Sequence, residues 1–266
     1  MFKLIANENL KIYIRVRTWI LLGITVAAAL AIAIAIKSTP HSAFSGTGWD
    51  FTNTASHLSA LLIAFIVVTV GDIVASEFST GSIKMLLTQT TTRARILTSK
   101  YIAALLFALF MTVCLYVSSL LIGGIFFGFH GAGTAQTWLN YQHHKYSMSA
   151  AGYSLMQYGF LFVQIILMVT IAFMISAIFR SSALAITISI LAFLVGDILA
   201  AALHHFVWDK FIIFTNLDLS TYVVPGSGPI ISGMTMGFSI FMLALYFVVM
   251  NILTWWIFIK RDVSFS

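Results

Sequence analysis

Six stretches of apolar residues, nearly free of charge, divide the chain at 18–36, 57–76, 101–129, 153–179, 183–203 and 238–259. A helix needs about 20 residues to cross the hydrocarbon core of a bilayer, and each stretch is of that order or longer. The pattern predicts an all-α fold: a polytopic membrane protein with six transmembrane helices, forming a single transmembrane domain over residues 1–266. The third and fourth stretches exceed the minimum, which predicts tilt or projection beyond the bilayer. The connections at 37–56 and 130–152 are rich in Gly, Ser, Thr and His, as solvated loops are. Residues 204–237 differ. Apolar pieces such as Phe206-Val207-Trp208, Phe211 to Phe214 and Val223-Val224 are too short to span, and Pro225, Gly226, Gly228 and Pro229 divide them. They predict a re-entrant or interfacial segment before the last span. The fourth and fifth spans are joined by little more than Arg180-Ser181-Ser182, a tight helical hairpin.

Composition removes the competing fold classes. Hydrophobic residues make up 60% of the chain and charged residues 8%, where soluble domains carry about 25%. Two water-soluble domains, the division that length alone suggests, are excluded. The net charge of +6 acquires meaning from its placement. With the N-terminus in the cytoplasm, Lys3, Lys11, Arg15, Arg17, Lys84, Arg93, Arg95, Lys100, Arg180, Lys260 and Arg261 fall inside, and Lys37, Lys145 and Lys210 outside. That bias predicts a bacterial inner-membrane protein with both termini cytoplasmic, and it leaves no case for nucleic acid as a partner. A cleaved signal peptide is the competing reading of the first 36 residues. The apolar run from Trp19 is longer than the usual core of about 7–15 residues, so a retained anchor is expected. The single cysteine, Cys114, sits in an apolar run and offers neither a disulfide framework nor a thiolate metal site.

The inner connection at 77–100 is the sizeable cytoplasmic feature. Ser82 can cap a short helix running to Leu87, with Ile83, Leu86 and Leu87 on one face. The threonines at 90–92 break it, and Arg93, Arg95 and Lys100 lead into the third span. Such a helix either rests on lipid headgroups or is a knob for a cytosolic partner.

The order E-x-x-x-G-[ST]-x-K-x-L-L-T, from Glu77 to Thr88, followed by R-x-R-I-L-x-S-K, from Arg93 to Lys100, resembles the permease subunits of type-2 ATP-binding-cassette exporters. A basic amphipathic segment at 1–17, the broken segment at 204–237 and the closing Phe258-Ile259-Lys260-Arg261-Asp262 resemble the same family. The resemblance implies an N-terminal elbow helix over 1–17 and a coupling helix that docks into the ATPase. The residues it assigns to coupling are Glu77, Thr80, Gly81, Ser82, Ile83, Lys84, Leu86, Leu87, Arg93 and Arg95. It also implies two copies of an ATPase subunit that bind ATP and Mg, a second permease copy (identical or a paralogue), and an amphipathic peptide or hydrophobic antibiotic as cargo. One departure stands out: Thr90 or Thr91 occupies the place where many members have Pro.

What the chain lacks fits a divided machine. No G-x-x-x-x-G-K-[ST] is present, so no ATP site and no bound cofactor are expected on this chain. No G-x-S-x-G or H-E-x-x-H occurs, so no catalytic residue and no metal site is expected either. Asp72 and Asp197 lie in spans, where each costs about 2.5–3.5 kcal/mol at a helix centre, so both should face protein or water. Asp72 is about a turn from the cytoplasmic end and is expected to pair with a basic residue such as Arg180 or Lys84. Asp197 either lines a translocation path or bonds to a neighbouring Ser or Thr. An ion- or proton-coupled secondary transporter or channel using these two acids is the alternative function, weakened by the lack of an internal repeat. An intramembrane enzyme is weaker still. The seven histidines all fall at the outer face, and Trp19, Trp138, Trp208, Trp255 and Trp256 are expected as interface anchors. Gly124 and Gly128, in G-x-x-x-G spacing, permit close helix approach within the chain or in a dimer.

Overall fold

The computed structural model describes residues 1–38, 46–79, 92–140, 145–179, 181–203, 206–224, 227–229, 231 and 233–260. Six of its helices are long and apolar enough to cross a membrane, and the protein is a multi-pass, mostly helical membrane protein. In chain order the longer helices are α1 (Phe2–Tyr13), α2 (Val16–Ser38), α3 (Gly48–Ala55), α4 (Ser59–Ser79), α5 (Arg93–Phe127), α6 (Ala150–Ile178) and α7 (Ser182–Leu203). A one-turn helix, α8 (Ile213–Asn216), and the last span, α9 (Met236–Lys260), complete them. α3 runs through a short 3-10 turn into α4, so the second span extends over Gly48–Glu77, 30 residues.

Burial sorts the spans into layers. Two thirds of the most apolar stretch of α6 is buried, against one sixth in α2 and α9. α4 and α6 therefore form the centre, and α2 and α9 turn most of their surface outward from the chain. Phe107, Phe173, Ile66 and Met168 fill the middle. Several of the polar groups buried there find partners inside the protein, as a medium without water requires. Tyr101 Oη lies 2.8 Å from Thr170 Oγ1, and Ser176 Oγ accepts from the backbone N–H of Val74 and Ala75, both at 3.1 Å.

Two expected solvated loops contain regular structure. Residues 37–56 hold α3, whose start is fixed by Asp50: its Oδ2 accepts the Thr47 N–H at 2.7 Å, the reciprocal half of a capping box. Residues 130–152 hold an antiparallel hairpin, β1 (Ala135–Leu139) and β2 (Lys145–Ser149), with Trp138 opposite Tyr146. Trp138 was expected at the lipid interface. It instead stands edge-on to Tyr153 at 4.7 Å and donates to the Val223 carbonyl at 2.7 Å. Trp255 likewise turns inward, donating to Thr98 Oγ1 at 3.3 Å and meeting Tyr101 edge-on. Trp19, Trp208 and Trp256 stay exposed.

The glycines of the third span pack within the chain. Gly48 N–H donates to the Gly128 carbonyl at 3.1 Å, and a Cβ on Gly123 would lie 2.6 Å from the Gly48 carbonyl oxygen. Only bare backbone fits between α3 and α5 there. Between α7 and α9 the chain makes a 3-10 turn (Val207–Phe211), α8 and a second 3-10 turn (Leu219–Tyr222). Asn216 anchors this run. It donates to the carbonyls of Lys210 and Ile212 and accepts from Ser239 on α9, which also lies 2.7 Å from Tyr222 Oη.

Candidate functional site

The short N-terminal helix, the end of α4 and the start of α5 meet at one end of the bundle, and the side chains that join them are charged. α1 turns Glu8 and Ile12, four residues apart, to the protein, and both are buried. Phe2, Ala6, Leu10 and Ile14, spaced at four residues along the other side, are exposed. Tyr13 meets Phe110 of α5 edge-on at 5.2 Å. The corner into α2 is closed by side chains that take carbonyls α1 leaves open at its C-terminus. Thr18 Oγ1 donates to the Ile12 carbonyl at 2.7 Å, and Trp19 Nε1 to the Tyr13 carbonyl at 2.8 Å. Ile14 and Arg15 therefore form a corner, and the first span begins at Val16.

Lys100 is the centre of this end. Its side chain is 1% exposed, with Nζ 2.6 Å from Glu8 Oε2 and 2.5 Å from Glu77 Oε1. Lys11 adds a second cation, 2.7 Å from Glu8 and 3.4 Å from Glu77. Two lysines and two carboxylates alternate, so no like charge stands unopposed, and a buried ammonium needs such company. Burial alone would raise the Glu8 carboxyl, but Lys100 and then Lys11 hold it below its ordinary value. Burial pulls Lys11 down, and the carboxylates of Glu8 and Glu77 hold it above its ordinary value. The cluster has a consequence for the connection it flanks. Glu77 precedes segment 80–91 and Lys100 follows it, so one ion pair ties both approaches together and Glu8 fastens α1 to the same point.

A second cluster sits on the other side of α4. Arg15 donates to Asp72 Oδ2 at 2.6 Å and Arg17 to the same oxygen at 3.2 Å, while Ser182, at the start of α7, donates to Asp72 Oδ1. The expected role of Asp72 as a structural partner for a basic residue fits this geometry with different partners. Arg180 and Lys84, the cations named from sequence, lie outside the described residues, and the corner arginines occupy the carboxylate. That arrangement leaves Asp72 ill suited to carry a travelling proton or cation.

Of the ten residues assigned to coupling, Glu77 is buried in the lysine cluster, Arg93 lies in the first turn of α5 with Nη1 3.4 Å from the Ile259 carbonyl, and Arg95 is exposed. Thr80, Gly81, Ser82, Ile83, Lys84, Leu86 and Leu87 lie outside the described residues. Asp197 is in α7, and its side chain is likewise outside them. Among the described residues no group of three His, Cys, Asp or Glu side chains is placed to hold a metal. Sequence reasoning missed Glu8, Lys11, Arg15, Arg17 and Lys100 as site residues, having used the cations only as topology markers. A signal was available: Glu8 is the one acid among the basic residues of the first segment, and an acid held amid cations needs a reason.

Residues 21–264 match the family described as "Protein of unknown function (DUF2705)". The chain is similar to the uncharacterized protein YhcI of Bacillus subtilis (strain 168), with 33% identity covering 99% of this chain and all of the relative. It is also similar to the uncharacterized membrane protein YdbK of the same organism, with 28% identity covering 96% of this chain and 99% of the relative.

Proposed function

The chain belongs to the DUF2705 family, and from its own residues we propose that it is the membrane-spanning permease subunit of an ATP-driven exporter. In this reading it lies in the bacterial cell membrane with both termini cytoplasmic. A separate ATP-binding-cassette subunit, present in two copies, docks on segment 80–91, and a second permease copy completes the path. α1 is then the elbow helix, its Phe2, Ala6, Leu10 and Ile14 stripe lying in the headgroup region. Residues 204–237 are the re-entrant segment on the outer side, and the cargo is an amphipathic peptide or a hydrophobic antibiotic.

The observation that carries this reading is the Lys100 cluster on the two approaches to a segment with the exporter-like motif. A segment that receives a push must be fastened to what it moves. Glu77 and Lys100 make α4 and α5 respond together, and Glu8 adds α1. A loop that only rests on lipid needs no buried lysine beneath it.

The test is a set of substitutions in the segment, Gly81→Pro and Leu86→Asp, in a strain carrying the intact operon. They are expected to leave membrane insertion unchanged and to abolish transport while the partner still hydrolyses ATP. Transport at the wild-type rate in both variants would remove the coupling assignment.

A further inference from the structure

At the end of the bundle opposite the lysine cluster, a cavity of about 330 Å³ opens between the start of the second span, α6 and the Leu219–Tyr222 turn. Its wall mixes polar and apolar groups, with no lysine or arginine among the described residues: Asn53, His57, Gln157, Gln164 and Asp218 supply the polar part together with serine and threonine hydroxyls. Asp218 Oδ1 accepts the Ser220 N–H at 2.9 Å and its hydroxyl at 2.6 Å, which fixes the carboxylate at the rim. Asn53 Oδ1 has no hydrogen-bond partner among the described residues.

An apolar hollow of about 480 Å³ adjoins this cavity between α6 and α9. All its lining residues are apolar, among them Val163, Ile166, Leu243 and Phe247. Phe160 lines both hollows, and the second turn divides between them: Leu219 faces the apolar one, and Asp218 and Ser220 the polar one. Phe160 is about 15 Å along α6 from Ala150 at 1.5 Å per residue, so the apolar hollow lies within the thickness of the bilayer and the polar one towards its edge. Both volumes are in the range of ligand pockets, about 300–1,000 Å³.

We infer that the two hollows form one binding site for a single-chain amphiphile with an ammonium head. The chain lies in the groove between α6 and α9, and the head sits in the polar cavity beside Asp218. An ammonium is favoured over a phosphate because the wall supplies a carboxylate, amide oxygens and hydroxyl acceptors, whereas a phosphate would find no lysine or arginine among the described lining residues to neutralise it. The ligand enters from the leaflet, because the groove is built from two spans. The site is remote from the lysine cluster and stands whether or not an ATPase docks there.

The experiment uses the full chain in nanodiscs of zwitterionic phospholipid and two photoactivatable probes. They share one diazirine-bearing alkyl chain and carry either a primary ammonium or a phosphate monoester head. The ammonium probe is expected to label peptides covering 160–167 and 240–247 about tenfold more than the phosphate probe, the factor given by about 1.4 kcal/mol of charge-assisted hydrogen bonding. Asp218→Asn keeps an oxygen for the Ser220 N–H and should bring the two probes close to equal. Ala244→Trp should fill the groove and remove labelling by both; if that variant does not insert, Asp218→Asn carries the test alone. Equal labelling by both probes in the wild type, as boundary phospholipid would give, overturns the inference. So does a preference that Asp218→Asn leaves unchanged, or labelling spread evenly over α2 and α9.

Discussion

At one end of the bundle, α1 is joined to α4 and α5 by a lysine buried between two carboxylates. At the other, α3 meets α5 through bare backbone, Gly48 against Gly123, and the hairpin is fastened by the Trp138 indole and the Asn140 amide to the Val223 and Tyr222 carbonyls. The first junction depends on charge balance and the second on volume. A buried ion group is poor as a source of stability, because desolvation offsets most of its attraction. It is, however, sharply dependent on every member being present. Steric fit between backbones has no such partner dependence and no sensitivity to pH. In the proposed reading, the charged end is the one that the partner ATPase would work, and the hairpin end is the frame against which it would move.

Breaking the charge balance should have the largest effect. Lys100→Met leaves two buried carboxylates with the partly exposed Lys11 as their shared cation, and a loss of about 3–5 kcal/mol is expected from detergent-denaturation midpoints of the purified protein. Adding Glu77→Gln to Lys100→Met should restore most of that loss, since Glu8 and Lys11 then remain as a balanced pair. A double variant as unstable as the single one would show that Lys100 acts through packing. At the other end, Gly123→Val forces side-chain atoms against Gly48 and should cost about 1–3 kcal/mol by the same measurement, with no rescue from charge changes. Trp138→Phe removes the bond to the Val223 carbonyl and should cost about 1 kcal/mol.

The smallest effect is the most specific to the charged end. Glu8 is held below its ordinary value of 4.5, so its contribution is complete above that value and is lost as pH falls through the lowered one. Lys11 is held above 10.5, so its contribution is complete below 10.5 and is lost as pH rises through the raised one. Protease access to α1 should therefore be flat between these limits and rise outside them. Protease access to the β1–β2 hairpin should not follow the same profile.

Hydropathy made the six spans legible, because a bilayer imposes length and composition on a crossing helix more strictly than water does on a soluble one. The start of the second span was not, since Gly48-Trp49-Asp50-Phe51 is short and lies among Gly, Ser and Thr; the Thr47 to Asp50 spacing was the available sign of a helix start. The hairpin was missed for a related reason, five-residue strands with a polar pattern being too brief to separate from a loop. Lys100 was counted correctly as a cation beside the third span. Its burial depends on Glu8, 92 residues away, and on Glu77, 23 away, and no local pattern records such a meeting. The pairing of Asp72 with Arg15 and Arg17 is of the same kind. Several coupling residues of the inner segment, from Thr80 to Leu87, rest on motif order alone.

The central claim is that this inner segment is worked by a separate motor. A photo-crosslinking amino acid in place of Leu86, activated in cells that express the chain with its native neighbours, tests it most directly. The account predicts a crosslink to a polypeptide carrying a phosphate-cradling G-x-x-x-x-G-K-[ST] loop, and its loss when Gly81→Pro is added. Crosslinks to lipid alone, with no nucleotide-binding polypeptide at any expression level, would contradict it.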